Sequence, residues 1–230
     1  MTAAMQYVDL LEPRPEDVSL HALALGLEER RFNNQLVAPG QTIADHQLLT
    51  ARIALAIDAP DDVVIAMLLH DAPEGILCDV PGPLKSWLVV QLRDGSTIPW
   101  AKLEQRWLDA ICRSLFPEEM AIRIARLVET SDLVHEIDRM ALRVEALTMM
   151  PGAEDWAADE LIETSEGPVR VKPIDPRAWP CMIKRPEAFP WRIVVAELGR
   201  FAHGKPCFLG QVGGGLRNVL RKGLLGEGQR

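Results

Sequence analysis

Residues 63–85 read VVIAMLLHDAPEGILCDVPGPLK. The stretch is nearly unbroken apolar sequence from Val63 to Leu69, and it then sets His70, Asp71, Glu74 and Asp79 close together. A run this continuous, in a chain otherwise patterned for helices, reads as a helix buried on most faces. A histidine and three carboxylates at its end are costly to bury unless something compensates. A bound metal ion is the simplest compensation, and the rest of the chain can be searched for further ligands. Pro73 disfavours helical angles at Ala72, so the helix ends or bends at these residues. Gly75 and Pro81-Gly82-Pro83 then predict a structured loop carrying Asp79 and Lys85.

Upstream, Thr42-Ile43-Ala44-Asp45 is a capping box opening a helix that runs to about Ile57. His46, Leu49, Ile53 and Ile57 share one stripe, which turns His46 toward the core one turn into the helix. The Asp58-Ala59-Pro60-Asp61 break ends it, and Asp61 or Asp62 can cap the next helix. Two antiparallel helices joined there would bring His46 and His70 to similar heights. Glu74 lies one turn beyond His70 and shares its face.

Downstream, residues 99–116 read as a helix burying Leu103, Trp107, Ala110, Ile111 and Leu115. Residues 118–150 are helical in pattern, with a possible break and new cap at Thr130-Ser131-Asp132. Asp138, beside the apolar positions Ile137 and Ala141, is a candidate fourth ligand. Asp132 is its rival, with a capping role as its simpler explanation. Two imidazoles and two carboxylates from His46, His70, Asp71 and Asp138 would suit Mn²⁺, Fe²⁺, Co²⁺, Ni²⁺ or Zn²⁺ rather than a Ca²⁺ or Mg²⁺ cage. Each residue alone has a plainer reading. His46 can be a satisfied core histidine, Asp71 can pair with Arg52 or Arg139, Glu74 can be solvated, and Asp79 can serve a turn. His135 and His203 are weaker site candidates, and His21 reads as surface.

Composition narrows the function. The chain has 230 residues, 48% of them apolar and 25% charged, with a formal net charge of −8. This balance is ordinary for a globular protein and argues against general binding to duplex nucleic acid, which needs basic surface. It leaves room for a small phosphorylated ligand held by a metal ion and local cations. No apolar run is long enough for a membrane span, and the N-terminus lacks a signal-peptide layout. The four cysteines make no CxxC pair, which fits free thiols in a reducing, cytoplasmic setting.

The ends are less regular. Residues 7–11 (YVDLL) can be a short strand or a packed arm, and residues 15–29 can hold a helix. The proline-rich part from Pro151 to Pro190 reads as irregular, with Trp156, Trp179 and Trp191 ordering parts of it. A helix follows over 191–201, and the glycine-containing tail reads as loose.

His46, HDAPE at 70–74, DVPGPLK at 79–85 and EIDRMALRVEALTMM at 136–150 together resemble the HD-domain metal-dependent phosphohydrolase superfamily. The likeness is to the branch of bacterial 5'-deoxynucleotidases and related phage and prophage phosphohydrolases, over roughly residues 5–155. Its H…HD…D pattern falls on His46, His70, Asp71 and Asp138, and the DRMAL context selects Asp138 over Asp132.

The resemblance implies an all-α HD-domain helical bundle over 1–155; the Pro-rich extension over 156–230, with its short helix, lies outside the resemblance and is expected to pack on the same domain. It implies one divalent transition metal ion and hydrolysis of a deoxynucleoside 5'-monophosphate. Glu74 is implied in handling water and proton, and Asp79 in catalysis near the phosphate. Arg31 with Phe32 occupies the place of a phosphate-holding pair, and Lys85 is a further candidate for that work. A deoxynucleoside triphosphate hydrolase and a non-catalytic nucleotide-binding protein are the alternatives, and a homodimer is an expected partner state. The chain departs from phage-type members at Asn33-Asn34-Gln35, where glycine and histidine are frequent, and at Gln47, where serine is usual.

Overall fold

A computed structural model describes residues 8–28, 42–149, 162–164, 167–169, 191–205 and 216–225. The architecture is a multi-helix bundle built around one helix that is buried from its third residue onward. That helix is α3, Asp61–Leu69, whose residues Val63 to Leu69 are at most 4% exposed. Burying each large aliphatic side chain contributes about 1.5–3 kcal/mol, so α3 is the main apolar asset of the bundle. Its N-cap is Pro60, with Asp61 and Asp62 in the first turn rather than capping it.

Helix α1 is Leu20–Leu27 and α2 is Ile43–Ala56. The capping box forms reciprocally: Asp45 N–H donates to Thr42 Oγ1 at 3.1 Å and Thr42 N–H donates to Asp45 Oδ2 at 3.1 Å. After α3 come two single-turn helices, α4 (Glu74–Leu77) and α5 (Gly82–Lys85). Helices α6 (Trp100–Leu115), α7 (Glu118–Thr130) and α8 (Asp132–Met149) complete the central part. The break between α7 and α8 falls at Ser131, whose hydroxyl accepts from Val134 N–H at 3.4 Å. α2 packs beside α3, α7 and α8 cover α3, and α6 lies against α7.

The all-α expectation needs one correction, because two short antiparallel hairpins interrupt the helices. β1 (Val89–Gln91) pairs with β2 (Thr97–Pro99) in the register Val90 opposite Ile98. β3 (Ile162–Thr164) pairs with β4 (Gly167–Val169). The first hairpin has β-branched residues at Val89, Val90 and Ile98 and turns through Gly95, whose φ of 85° suits glycine. Residues 8–11 form the packed arm rather than a strand: Trp107 Nε1–H donates to Leu10 O and Arg106 Nη1–H to Leu11 O, both at 3.0 Å.

The helix expected over 191–201 forms, but the tail beyond it differs from its reading as loose. Residues Trp191–Ala202 form α9, and Leu216–Leu225 form a further helix, α10. Leu220 and Leu224 are buried in the core built by α2 and α3. Arg52 Nε–H donates to Leu224 O at 2.8 Å, and Arg217 binds Asp61 and Ala59 O beside α3's start. The glycines at 213–215 misled the reading, because an amphipathic segment follows them and finds apolar partners only in three dimensions. Trp191 is buried and donates its indole N–H to Leu68 O at 2.8 Å. It thereby satisfies a carbonyl in the last turn of α3, just before His70.

Candidate metal centre

The chain turns sharply after Leu69, and the turn delivers the polar residues of the HDAPE segment. α1 presses against this turn with no side chain between the backbones. A Cβ placed on Gly26 would lie 1.7 Å from Gly75 O, so this crossing requires glycine. After α4, Cys78 takes φ 76° and ψ 155°, a region that glycine occupies far more readily. This kink starts the loop to Asp79 and Lys85.

Helices α2, α3 and α8 bring His46, His70 and Asp138 to one place. Their donor atoms all lie within 4.8 Å of one another. His46 Nε2 is 3.3 Å from His70 Nε2 and 2.9 Å from Asp138 Oδ1, and His70 Nε2 is 3.6 Å from Asp138 Oδ1. Asp71 adjoins the cluster, with Oδ2 at 3.3 Å from His70 Nε2 and 3.7 Å from His46 Nε2. Donors around one transition-metal ion at about 2.1 Å stand about 3.0–3.4 Å apart, so these side chains fit a divalent ion. Asp132, the rival to Asp138, is exposed at the start of α8.

The orientation of each imidazole has a cause. His70 Nδ1–H donates to Met67 O at 2.9 Å, in the preceding turn of its own helix. Met67 O also accepts from Thr50 Oγ1–H at 3.0 Å. His46 is wholly buried, and its Nδ1 lies 2.5 Å from Glu145 Oε1. Both rings therefore present Nε2 to the cluster. Glu145 was not anticipated, although it stands two turns beyond Asp138 on the apolar face marked by Ile137, Ala141 and Val144.

The charges respond to this crowding. Burial pulls His70 down, but the carboxylates of Asp71 and Asp138 outweigh it and hold the ring above its ordinary value. Burial would raise Asp138, but hydrogen bonds from His46 and His70 hold it far below the usual carboxylate range.

A cavity of about 210 Å³ opens beside the cluster, lined among others by His70, Asp71, Glu74, Lys85, Glu104 and Asp138. Glu74 is 5% exposed and is pushed up to about 8 by burial, then by Asp71, against the lowering effect of Lys85. Its Oε1 accepts from Lys85 Nζ at 2.7 Å, while its buried Oε2 has no hydrogen-bond partner among the described residues. Lys85 Nζ also lies 2.8 Å from Glu104 Oε1, from α6, which sequence alone did not single out. Burial opposes the charge on Lys85, but Glu74 and Glu104 raise it above its ordinary value.

Other expectations fall elsewhere. Asp79 is half-buried in the loop after Cys78; it does not line this cavity, though its charge contributes to raising Glu74. Arg31 and Phe32 lie outside the described residues. Arg52 and Arg139, considered as partners for Asp71, bond Leu224 O and Glu136 respectively. Cys78 and Cys112 are free thiols, and Cys181 and Cys207 lie outside the described residues. Gln47 is fully buried, yet neither end of its amide has a hydrogen-bond partner among the described residues.

These features define a predominantly helical protein with a His/His/Asp cluster that can chelate a divalent metal, which supports a metal-dependent enzyme in general. No family model matches the chain. A stretch of 83 residues is 34% identical to an uncharacterized protein of Rhodobacter capsulatus, covering 34% of this chain and 42% of that protein. The chain thus spans less than half the length of that relative. Among the described residues no helix is long and apolar enough to cross a membrane.

Proposed function

We propose that this chain is an HD-type phosphohydrolase that removes phosphate from a deoxynucleoside 5'-monophosphate, with His46, His70, Asp71 and Asp138 holding one divalent transition metal ion. The observation that carries the reading is the convergence of the donor cluster with Glu74 and Lys85 on one cavity. A bound ion would supply Lewis-acid polarisation and a lower pKa for water. Glu74 takes the proton of the attacking water at its unpartnered Oε2. A group titrating near 8 can exchange a proton at neutral pH, which suits that role. Hydrolysis forms a P–O bond to water and breaks the P–O5' bond, and the proton that Glu74 takes from water passes to the departing 5' oxygen; Asp79, outside the cavity lining, acts on this chemistry only through its charge near Glu74. Arg31 and Phe32 are assigned to holding the phosphate. Lys85 serves it only by exchanging one of its two carboxylate partners. The setting proposed is a cytoplasmic homodimer.

Two observations favour a monophosphate over the triphosphate alternative. The cavity of about 210 Å³ is smaller than the range of about 300–1,000 Å³ common for ligand pockets. Lys85 is the one lysine or arginine among the described residues lining it, and Glu74 and Glu104 already share its charge. The test is product analysis with metal-stripped protein resupplied with Mn²⁺, Co²⁺ or Zn²⁺, against deoxy- and ribonucleoside mono- and triphosphates. Inorganic phosphate from deoxynucleoside monophosphates, lost in Asp71→Asn, is the expected result. Triphosphate or pyrophosphate release would replace this reading with the triphosphohydrolase. Silence with nucleotide still bound would leave a non-catalytic binding protein.

A further inference from the structure

One helix grips the His46 imidazole at both nitrogens. Asp138 Oδ1 stands 2.9 Å from Nε2, and Glu145 Oε1 stands 2.5 Å from Nδ1. The two acids sit two turns apart on α8, a rise of about 10.5 Å, and the ring lies along the helix between them. His46 has no solvent exposure, and the Glu145 side chain is 9% exposed. His70 differs, because its Nδ1 reaches only a neutral carbonyl of its own helix.

We infer that Glu145 is a positioning residue for metal binding: it holds the Nδ1–H tautomer of His46 and aims the Nε2 lone pair at the cation site. The inference deepens the metal-site reading above and rests on it. An ionised carboxylate can only accept, so Glu145 keeps a proton on Nδ1, and an arriving metal ion displaces the proton that Asp138 accepts from Nε2. Its charge makes the imidazole a more basic ligand, and loss of such a partner lowers metal affinity about 10–100-fold. Glu145 touches neither substrate nor reacting atoms in this scheme.

The experiment compares Glu145→Leu and Glu145→Gln with the parent protein by two readouts. Calorimetric titration with Zn²⁺ gives affinity, and long-range ¹H–¹⁵N correlation on metal-free protein gives the His46 tautomer. The expected result is Nδ1–H in the parent protein, its loss in Glu145→Leu, and Zn²⁺ affinity lowered about 10–100-fold. Glu145→Gln keeps an acceptor without the charge, so it retains the tautomer and falls between the two in affinity. It also keeps the test alive if Glu145→Leu does not fold. Affinity within twofold of the parent in both variants, or an unchanged tautomer in Glu145→Leu, overturns the inference. Failure of the parent to bind Zn²⁺ would instead count against the metal-site reading, while the tautomer would still decide the role of Glu145.

Discussion

Lys85 Nζ lies 2.8 Å from Glu104 Oε1, which ties the loop after α4 to α6. The same ammonium holds Glu74 at 2.7 Å, so one cation serves two carboxylates at the cavity wall. Glu104→Gln leaves Lys85 to Glu74 and to an incoming phosphate. It should lower KM for a deoxynucleoside monophosphate and move the acid limb of the kcat profile to lower pH. Lys85→Met removes the group that lowers Glu74, so the limb should move to higher pH and kcat should fall. Rate profiles between pH 5.5 and 9.5 check both, and an unmoved limb in Lys85→Met rejects the coupling.

Glu74 also links stability to pH. The folded protein takes up a proton on Glu74 below about 8, whereas the ordinary carboxyl value is 4.5. Between those values the folded state binds more protons than the unfolded state, so stability falls as pH rises. In metal-free protein this contribution is on the order of a few kcal/mol, and Glu74→Gln should flatten the slope. Added Mn²⁺ offsets the charge of Asp71 and should also flatten it. Urea midpoints at several pH values provide the measurement.

A metal ion that binds only the folded state raises stability by about 2.7 kcal/mol at a free concentration 100 times its Kd. This shift should vanish in His70→Ala and Asp71→Asn. Asp132→Asn should keep it, because Asp132 is exposed and outside the cluster. Thermal unfolding with and without Zn²⁺ would show the contrast, and equal loss in Asp132→Asn would contradict the placement of the site.

Gly26 meets Gly75 backbone to backbone, and Gly26→Ala would place a methyl group 1.7 Å from Gly75 O. Overpacking against backbone costs about 1–3 kcal/mol or more. The shift would also displace Glu74, next in sequence to Gly75. Denaturant unfolding should report the loss, with Ala24→Gly as a control that opens space instead.

Gln47 places an amide in the core with no partner for either end among the described residues. An unsatisfied buried polar group costs about 1–3 kcal/mol, so Gln47→Met, similar in shape, should stabilise the protein by about 1–2 kcal/mol. A lower urea midpoint in this variant would show that the amide has a use.

Much of this architecture was legible because its causes are local. The Thr42–Asp45 box, the apolar run of α3 and the stripes of α6 and α8 each lie within a few turns of chain, and helices form there. Hairpin β1–β2 was missed because its strands are three residues long and their signal is weak beside helical periodicity. α10 was missed because its buried face exists only once α9, α2 and α3 pack against it.

The candidate site divides along the same line. His46, His70 and Asp138 carry their own signal, since a polar residue on an apolar stripe asks for a partner. Glu145 left a weaker trace of the same kind, two turns along the face of Asp138. Glu104 left none, because a glutamate on a half-exposed helix is usually solvated. Composition and periodicity were enough to state that α2, α3, α6 and α8 form and which faces they bury. Which carboxylate meets which ring or ammonium was settled by folding alone: Glu145 reaches His46 across 99 residues of chain. Side-chain polarity is a property of each residue, whereas pairing is a property of packed distances, and those arise only when the helices close on α3.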